Sequence, residues 1–138
     1  MNVKTIEIKT RTTQDCGCLS FFESCKDIDF EIKRIYYIYD VPKAATRGYH
    51  SHKHLWQLLF CVTGCVEIEV DDGYKSEIIL LDQPKRGLVV GPGIWRTMKF
   101  VNENSVLCVA ASDYYDEDDY IRNYDEFKQL VKQEYWKE

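Results

Sequence analysis

All three histidines of the chain lie within five residues, as His50, His52 and His54. They belong to the run RGYHSHKHLWQ at positions 47–57. Alternate residues of a β-strand point to the same face of a sheet, so His50 and His52 would present two imidazoles to one side. Imidazole titrates near neutral pH, binds metal ions and can both donate and accept a proton. The spacing therefore predicts a site for acid–base or metal chemistry, and the alternative is a solvated polar strand end.

The elements that must position this histidine pair are predicted to be short β-strands. Segments rich in β-branched and aromatic residues recur about every ten residues, which is the spacing of a sandwich or barrel. An Asp-Asp-Gly turn at 71–73 joins two of them, and the prolines fall between strands, where a missing amide does no harm. Besides the histidine strand, the predicted strands are 3–9, 19–23, 32–39, 55–63, 66–70, 77–81, 87–90, 95–101 and 106–111.

The end of the chain has a different, helical pattern. Its apolar positions recur every three or four residues, at Tyr120, Tyr124, Phe127, Val131 and Tyr135. Acidic residues cluster before this segment and lysines follow it, as the helix macrodipole favours. We therefore predict a C-terminal helix at about 116–137. No linker or repeat divides the chain, so residues 1–138 are predicted to form one domain.

Composition and charge limit the possible functions. No apolar run approaches the ~18 residues of a membrane span, and a hydrophobic content of 45% is that of a globular protein. The net charge of −5 argues against nucleic acid as a partner, because phosphate-backbone binding needs a broad basic surface. The first ten residues lack the apolar core of a signal peptide, which predicts a cytoplasmic protein. The six cysteines are accordingly expected to be free thiols.

The order of these motifs resembles the cupin jelly roll. Metal-binding cupins present two histidines, then a glutamate, then a third histidine after a late Pro/Gly turn. Here His50 and His52 match the first two positions, whereas Gln57 replaces the glutamate and Arg96 in GPGIWR replaces the last histidine. A guanidinium cannot ligate a cation and would repel one. The resemblance implies an all-β cupin jelly roll with one C-terminal α-helix, no catalytic metal and no other cofactor.

Longer segments extend the resemblance to one family. The blocks KRIYYIYD, RGYHSHKHLWQ, VDDG, GPGIW and ASDYYDEDDYIRNYDEF, within 32–127, are similar to the sugar 3,4-ketoisomerases of bacterial deoxysugar pathways. Such enzymes act on dTDP-4-keto-6-deoxyglucose. The resemblance implies a homodimer that converts this dTDP-sugar to a dTDP-3-keto-6-deoxyhexose through an enediol. The product would feed 3-amino-3,6-dideoxyhexose biosynthesis for bacterial surface glycans such as lipopolysaccharide.

This reaction assigns roles to the candidate residues. Moving a carbonyl between neighbouring carbons requires a base, an acid and donors for the developing oxyanion. We assign the proton transfers to His50 and His52, with His50 the stronger candidate for the base.

Five other residues are candidates for substrate binding. Arg47 precedes the histidine strand and could hold a diphosphate oxygen with its guanidinium, or be a surface cation. Tyr37 and Tyr39 share a strand face and could donate to sugar oxygens, or be wall tyrosines. Arg96 is expected to face the cavity, where it could hold a sugar oxygen or the phosphates. Gln57, at the other substituted position, is assigned to the substrate as well.

Two functions of other classes remain as alternatives. A non-catalytic sugar-binding cupin would keep the pocket, but it would not need a pair of acid–base groups. A metal-dependent cupin oxygenase would need the ligands that Gln57 and Arg96 replace.

Overall fold

The chain folds into short antiparallel strands followed by one helix, in a computed structural model that describes residues 1–137. The strands are β1 (Val3–Glu7), β2 (Lys9–Thr13), β3 (Gly17–Phe21), β4 (Arg34–Ile38), β5 (Thr46–His52), β6 (Gln57–Thr63), β7 (Val66–Asp71), β8 (Ser76–Leu81), β9 (Arg86–Val90), β10 (Trp95–Phe100), β11 (Val106–Ala111) and β12 (Tyr120–Ile121). A 3₁₀ turn at Glu117–Asp119 precedes β12, and helix α1 spans Tyr124–Lys132. The last residue of the predicted domain, Glu138, lies outside the described residues.

Ten of these strands form two five-stranded sheets. Their orders are β1-β9-β6-β11-β4 and β12-β5-β10-β7-β8, and β2 pairs with β3 in a separate two-stranded sheet. All of these pairs are antiparallel. Alternate side chains of both sheets point inward, and the core between them includes Leu59, Val70, Leu88, Phe100 and Val109. The predicted all-β architecture with a C-terminal helix is confirmed, and all six cysteine thiols are free.

The predicted strand at 3–9 is wrong in one respect, because the chain changes partner within it. Residues before Ile8 pair with β9, whereas residues after it pair with β3 in a separate hairpin. Ile8 itself is buried, and its N–H donates to the Lys85 carbonyl. A local alternation of residue types cannot show such a change of partner.

The predicted helix at 116–137 is wrong at both ends, since α1 spans only Tyr124–Lys132. The residues before it form the 3₁₀ turn and β12, because pairing with β5 buries Ile121 and satisfies its backbone. Asn123 caps the helix by accepting a backbone hydrogen bond. Beyond Lys132, Glu134 has a φ of 57°, which ends the helical path. No helix within residues 1–137 has the length and apolarity needed to cross a bilayer.

Candidate active site

Strand β5 carries the histidine pair into a buried position between two neighbouring strands. It pairs with β10 on one side and with β12 on the other, where Tyr120 lies opposite His52. His50 is 8% exposed and His52 is fully buried. Their ring centroids lie 5.0 Å apart, with the ring planes nearly perpendicular. The structure thus brings the predicted pair together.

A bulge turns β5 just before the histidines. The β10 strand pairs with His50 and then with Gly48, so Tyr49 has no partner in it. Gly48 has a φ of 98°, and a Cβ there would lie 2.8 Å from the Arg96 carbonyl oxygen. Only glycine fits this position without displacing the backbone. Downstream of the bulge, His50 lines the same cleft as Arg47.

Arg96 lies opposite His50 in β10 and is completely buried. Its guanidinium donates one hydrogen bond to the Gln57 side-chain oxygen and another, of 3.0 Å, to the Ile94 carbonyl. Gln57 in turn donates to the Tyr36 hydroxyl over 3.0 Å. No carboxylate within residues 1–137 forms a salt bridge with Arg96. Burial lowers the pKa of Arg96 to about 10, so the group is positively charged at neutral pH.

Both imidazoles of the pair are neutral at neutral pH. Burial, together with the nearby Arg96 guanidinium, lowers the pKa of His50 to about 3. The same two causes lower the pKa of His52 well below its usual range. The Nε2 atoms of both rings are buried without a hydrogen-bond partner among residues 1–137. The site therefore holds two adjacent neutral imidazoles, each with an unpartnered Nε2.

Within the described residues, a carboxylate contacts only one of the two rings. The Nδ1 atom of His52 lies 3.0 Å from the Oδ2 atom of Asp119, at the end of the 3₁₀ turn. Burial raises the pKa of Asp119 above its usual range, and hydrogen bonds from the backbone N–H groups of His54 and Leu55 oppose this rise. No carboxylate of the described chain forms a hydrogen bond or an ion pair with the His50 ring.

The Tyr120 ring covers both imidazoles. Its centroid lies 5.1 Å from that of His50 and 4.4 Å from that of His52. The Arg122 guanidinium lies over the Tyr120 ring, 4.2 Å from the ring centroid. Arg122 also forms an ion pair of 2.6 Å with Glu117. The segment that leads into the helix thus closes the histidine site.

An open cleft of about 300 Å³ lies beside His50. Its cations are Arg34, Arg47 and Arg122, and its lining also includes Tyr36 and Tyr120. His52 borders a smaller cavity of about 120 Å³, and Tyr120 lines both spaces.

Residues 1–132 match the protein family described as FdtA: WxcM-like, C-terminal. The chain belongs to this family. It is 44% identical, over 131 residues, to the TDP-4-oxo-6-deoxy-alpha-D-glucose-3,4-oxoisomerase of Aneurinibacillus thermoaerophilus, covering 95% of this chain and 94% of that protein.

Solved structures agree with this assignment to the FdtA/WxcM-like family. The sugar 3,4-ketoisomerase QdtA from Thermoanaerobacterium thermosaccharolyticum, in complex with TDP, has a TM-score of 0.92 and 47% identity, over 96% of both chains. A histidine-to-asparagine variant of QdtA, in complex with TDP-4-keto-6-deoxyglucose, has a TM-score of 0.92 and 46% identity, over 96% of this chain and 95% of that one. The resemblance inferred from the sequence is confirmed, as is the fold.

Two predicted substrate-binding tyrosines of this FdtA/WxcM-like chain lie outside the cleft. Tyr37 and Tyr39 are 62% and 59% exposed on the outer face of β4 and the residue after it. Tyr36 points inward instead and reaches Gln57. The sequence has tyrosines at both even and odd positions along this strand, so it does not show which of them faces the core. Only the pairing of β4 with β11 decides this.

The two predicted residues at the substituted cupin positions are buried together. Arg96 has no exposed surface, and the Gln57 amide already bonds both Arg96 and Tyr36. Neither Gln57 nor Arg96 is among the residues that line the cleft, and direct binding of the substrate by them stays a prediction. Arg96 contributes a buried positive charge, and Gln57 is its hydrogen-bond partner. Arg47 does border the cleft.

The sequence reasoning missed further residues that border the histidines or the cleft. These are Arg34, Tyr36, Asp119, Tyr120 and Arg122. The sequence predicts that Asp119 and Tyr120 belong to the start of a helix, because acidic residues before a helical period favour that interpretation. A signal was nevertheless present in the dense run of acidic and aromatic residues at 113–120.

The low pKa of His50 predicts how stability depends on pH. Its folded-state pKa of about 3 lies below its ordinary value of 6.5, so between these values the unfolded chain binds more protons than the folded chain. The free energy of unfolding should therefore fall as the pH is lowered through this window. This contribution of His50 is about 1.4 kcal/mol per pH unit.

Urea unfolding at several pH values between 7 and 4 measures this effect. The His50→Asn variant cannot titrate at this position, so its stability should fall less steeply than that of wild type. His54→Asn controls for the loss of an exposed histidine. Equal slopes for wild type and His50→Asn would contradict the prediction.

Proposed function

We propose that this protein is a 3,4-ketoisomerase that converts dTDP-4-keto-6-deoxy-D-glucose to a dTDP-3-keto-6-deoxyhexose. The observation that carries the proposal is the pair of buried, neutral imidazoles with unpartnered Nε2 atoms. The relatives support the substrate, because one is named for TDP-4-oxo-6-deoxyglucose and another was solved with TDP-4-keto-6-deoxyglucose.

A cytoplasmic location is inferred with this activity, because a nucleotide sugar is a water-soluble substrate. Cell fractionation tests this location.

The reaction needs proton transfers at two neighbouring carbons. A base removes the proton on carbon 3, and the carbonyl at carbon 4 becomes the oxygen of an enediolate. Carbon 4 then receives a proton from the other imidazole, which the proton removed from carbon 3 replaces, and the proton of the carbon 3 hydroxyl ends on the carbon 4 oxygen, so that the sugar and the enzyme both keep their composition. Imidazoles with centroids 5.0 Å apart can serve adjacent carbons of one ring. We assign the two transfers at carbon to His50 and His52.

Tyr120 controls how one substrate reaches both imidazoles. This ring borders the cleft beside His50 and also the cavity beside His52. Because the Tyr120 ring packs on both imidazoles, a sugar that contacts both rings must displace it.

Arg96 favours the enediolate through its charge. The guanidinium lies beside His50 and has no carboxylate partner among the described residues, so a developing negative charge in the site is attracted to it. Burial, with the same charge as a second cause, keeps the imidazoles neutral and therefore able to accept a proton.

We propose that the reaction needs no metal ion. No group of three or more His, Cys, Asp or Glu residues within 1–137 is arranged to hold one. Arg96 and Gln57 stand where the cupin pattern places a histidine and a glutamate, and the Arg96 charge would repel a cation. The activity assays are therefore run with and without EDTA, which should leave turnover unchanged.

The cations of the cleft match a diphosphate. The chain has a net charge of −5, so an anionic ligand requires a local concentration of positive charge. Arg34 and Arg47 border the cleft, and no carboxylate of the described chain forms a salt bridge with either of them. Arg122 also borders it, but Glu117 already pairs with this residue. Arg47 is therefore proposed as a phosphate ligand, with Arg34 near it.

Replacing either histidine by asparagine should remove most of the activity. General acid–base groups typically contribute about 10²–10⁴-fold, so turnover of His50→Asn should fall by that factor and His52→Asn should fall as well. Incubation with the nucleotide sugar in deuterated water, followed by NMR, measures exchange at carbon 3, which binding alone cannot cause. His54→Asn is the matched control and should remain active. Near-normal turnover in both variants would overturn the assignment.

Replacing Arg47 by alanine should weaken binding of the nucleotide sugar by about one to two decades. A charge-assisted hydrogen bond contributes roughly 1.5–3 kcal/mol, and Arg47→Lys should recover only part of it. KM should rise with a smaller change in kcat. Lys43→Ala removes an exposed lysine outside the cleft and is the control. If TDP binds Arg47→Ala as tightly as wild type, Arg47 does not hold the phosphates.

We further propose that the protein is a homodimer. Strand β4 lies at the edge of its sheet, and its outer face exposes Ile35 and Tyr37, with Tyr39 beside them. The β2–β3 hairpin lies outside both sheets and exposes Leu19. Exposed edges and apolar faces of this kind are commonly paired with another chain.

Light scattering should give twice the 16.3 kDa mass of the chain. Tyr37→Glu places a charge on the outer face of β4 and should lower the dimer fraction. Tyr74→Glu makes the same change at a more exposed tyrosine between β7 and β8, and it is the control. A monomeric mass for wild type at assay concentration would contradict the proposal.

A further inference from the structure

Asp119 is the one acidic residue of the described chain that forms an ion pair or hydrogen bond with a ring of the histidine pair. It lies 67 positions from His52 in the sequence, and the 3₁₀ turn before β12 brings it to the ring. Its side chain is only 14% exposed. The contact is therefore shielded from water, where a hydrogen bond has more influence than at the surface.

Backbone donors hold the Asp119 carboxylate in place. One oxygen accepts from the His54 N–H over 2.8 Å, and the other lies 3.3 Å from the Leu55 nitrogen and 3.0 Å from the Nδ1 atom of His52. The Asp119 carbonyl accepts from the Lys53 N–H over 2.9 Å, so the turn is tied to the end of β5. Both carboxylate oxygens thus face backbone N–H donors and act as acceptors.

This arrangement determines which nitrogen of His52 carries the proton. An ionised carboxylate can only accept, so the Nδ1 atom of His52 must donate to it. In a neutral imidazole the other nitrogen then has a free lone pair. The Nε2 atom of His52 is indeed buried without a partner, so nothing in the described chain competes for that lone pair.

We propose that Asp119 is a positioning residue that holds His52 in the Nδ1–H tautomer, so that its Nε2 atom can accept a proton from the substrate. The catalytic part of this inference rests on the proposed isomerase activity, whereas the tautomer does not. When His52 accepts the proton, Asp119 also supplies the counter-charge for the imidazolium. His50 has no such partner among residues 1–137, so the two histidines are not equivalent, and within this proposal His52 is the base rather than His50, which the sequence favours.

The Asp119→Asn variant tests the proposal with little change in size. Its amide oxygen can still accept from the His54 N–H, but its NH₂ group then faces the Nδ1 atom of His52. An NH₂ group donates, so Nδ1 becomes the acceptor and the proton moves to Nε2. We expect kcat to fall by about 10²–10⁴-fold with a small change in KM, because a mis-protonated base cannot act. Asp116→Asn removes a neighbouring charge and keeps a capping side chain, so it should retain turnover.

The tautomer can be measured without substrate. The chain has three histidines, so ¹⁵N-histidine labelling gives few ring signals, which the His50→Asn and His54→Asn variants assign. Two-bond ¹H–¹⁵N spectra should show His52 protonated at Nδ1 in wild type and in Asp116→Asn, and at Nε2 in Asp119→Asn.

Each outcome separates this proposal from the proposed function. An Nε2–H tautomer in wild type, or an unchanged tautomer in Asp119→Asn, would overturn the positioning role whatever the reaction is. A switched tautomer with normal turnover would overturn its catalytic importance. If wild type itself has no isomerase activity while the tautomer switches, the proposed function fails and the structural assignment of the tautomer stands.

Discussion

The buried positive charge of Arg96 determines the chemistry of the surrounding site. Burying a charge without a counter-ion is costly, and here neutral groups offset part of that cost, namely the Gln57 amide and the Ile94 carbonyl. Gln57 is oriented in turn by Tyr36, at the inner face of the opposite sheet. Changing one member of this network would leave a buried donor or acceptor unpaired. The network therefore links the two sheets and sets the electrostatic potential beneath the histidines.

That potential makes the histidine pair suited to proton transfer. Burial and Arg96 keep His50 and His52 neutral, and the same charge would favour the enediolate of the proposed reaction and disfavours a cation. Asp119 breaks the symmetry of the pair, because it contacts His52 and not His50. Two residues of the same type, two positions apart on one strand, thus have different partners and different capacities to carry a charge.

The chain between β11 and α1 completes the site, although its local pattern is helical. Tyr120 packs on both imidazoles, and Asp119 reaches His52 because β12 pairs with β5. Pairing with a buried strand satisfies more backbone groups and buries Ile121, which outweighs the helical propensity of a few exposed residues. A sequence window contains no information about that partner, so the error in the helix boundary and the omission of Asp119 have the same cause.

Local patterns were sufficient to predict the all-β fold, the terminal helix and the shared face of His50 and His52, because alternation and helical period act over a few residues. The motifs were sufficient for the family as well. Only the tertiary structure decided that Tyr36, and not Tyr37 or Tyr39, faces the interior, and that Arg96 and Gln57 bond each other beneath the site. It also decided that Asp119 meets His52. These facts depend on strand register and on contacts between residues far apart in the chain, and a shift of one residue in register reverses every side chain of a strand.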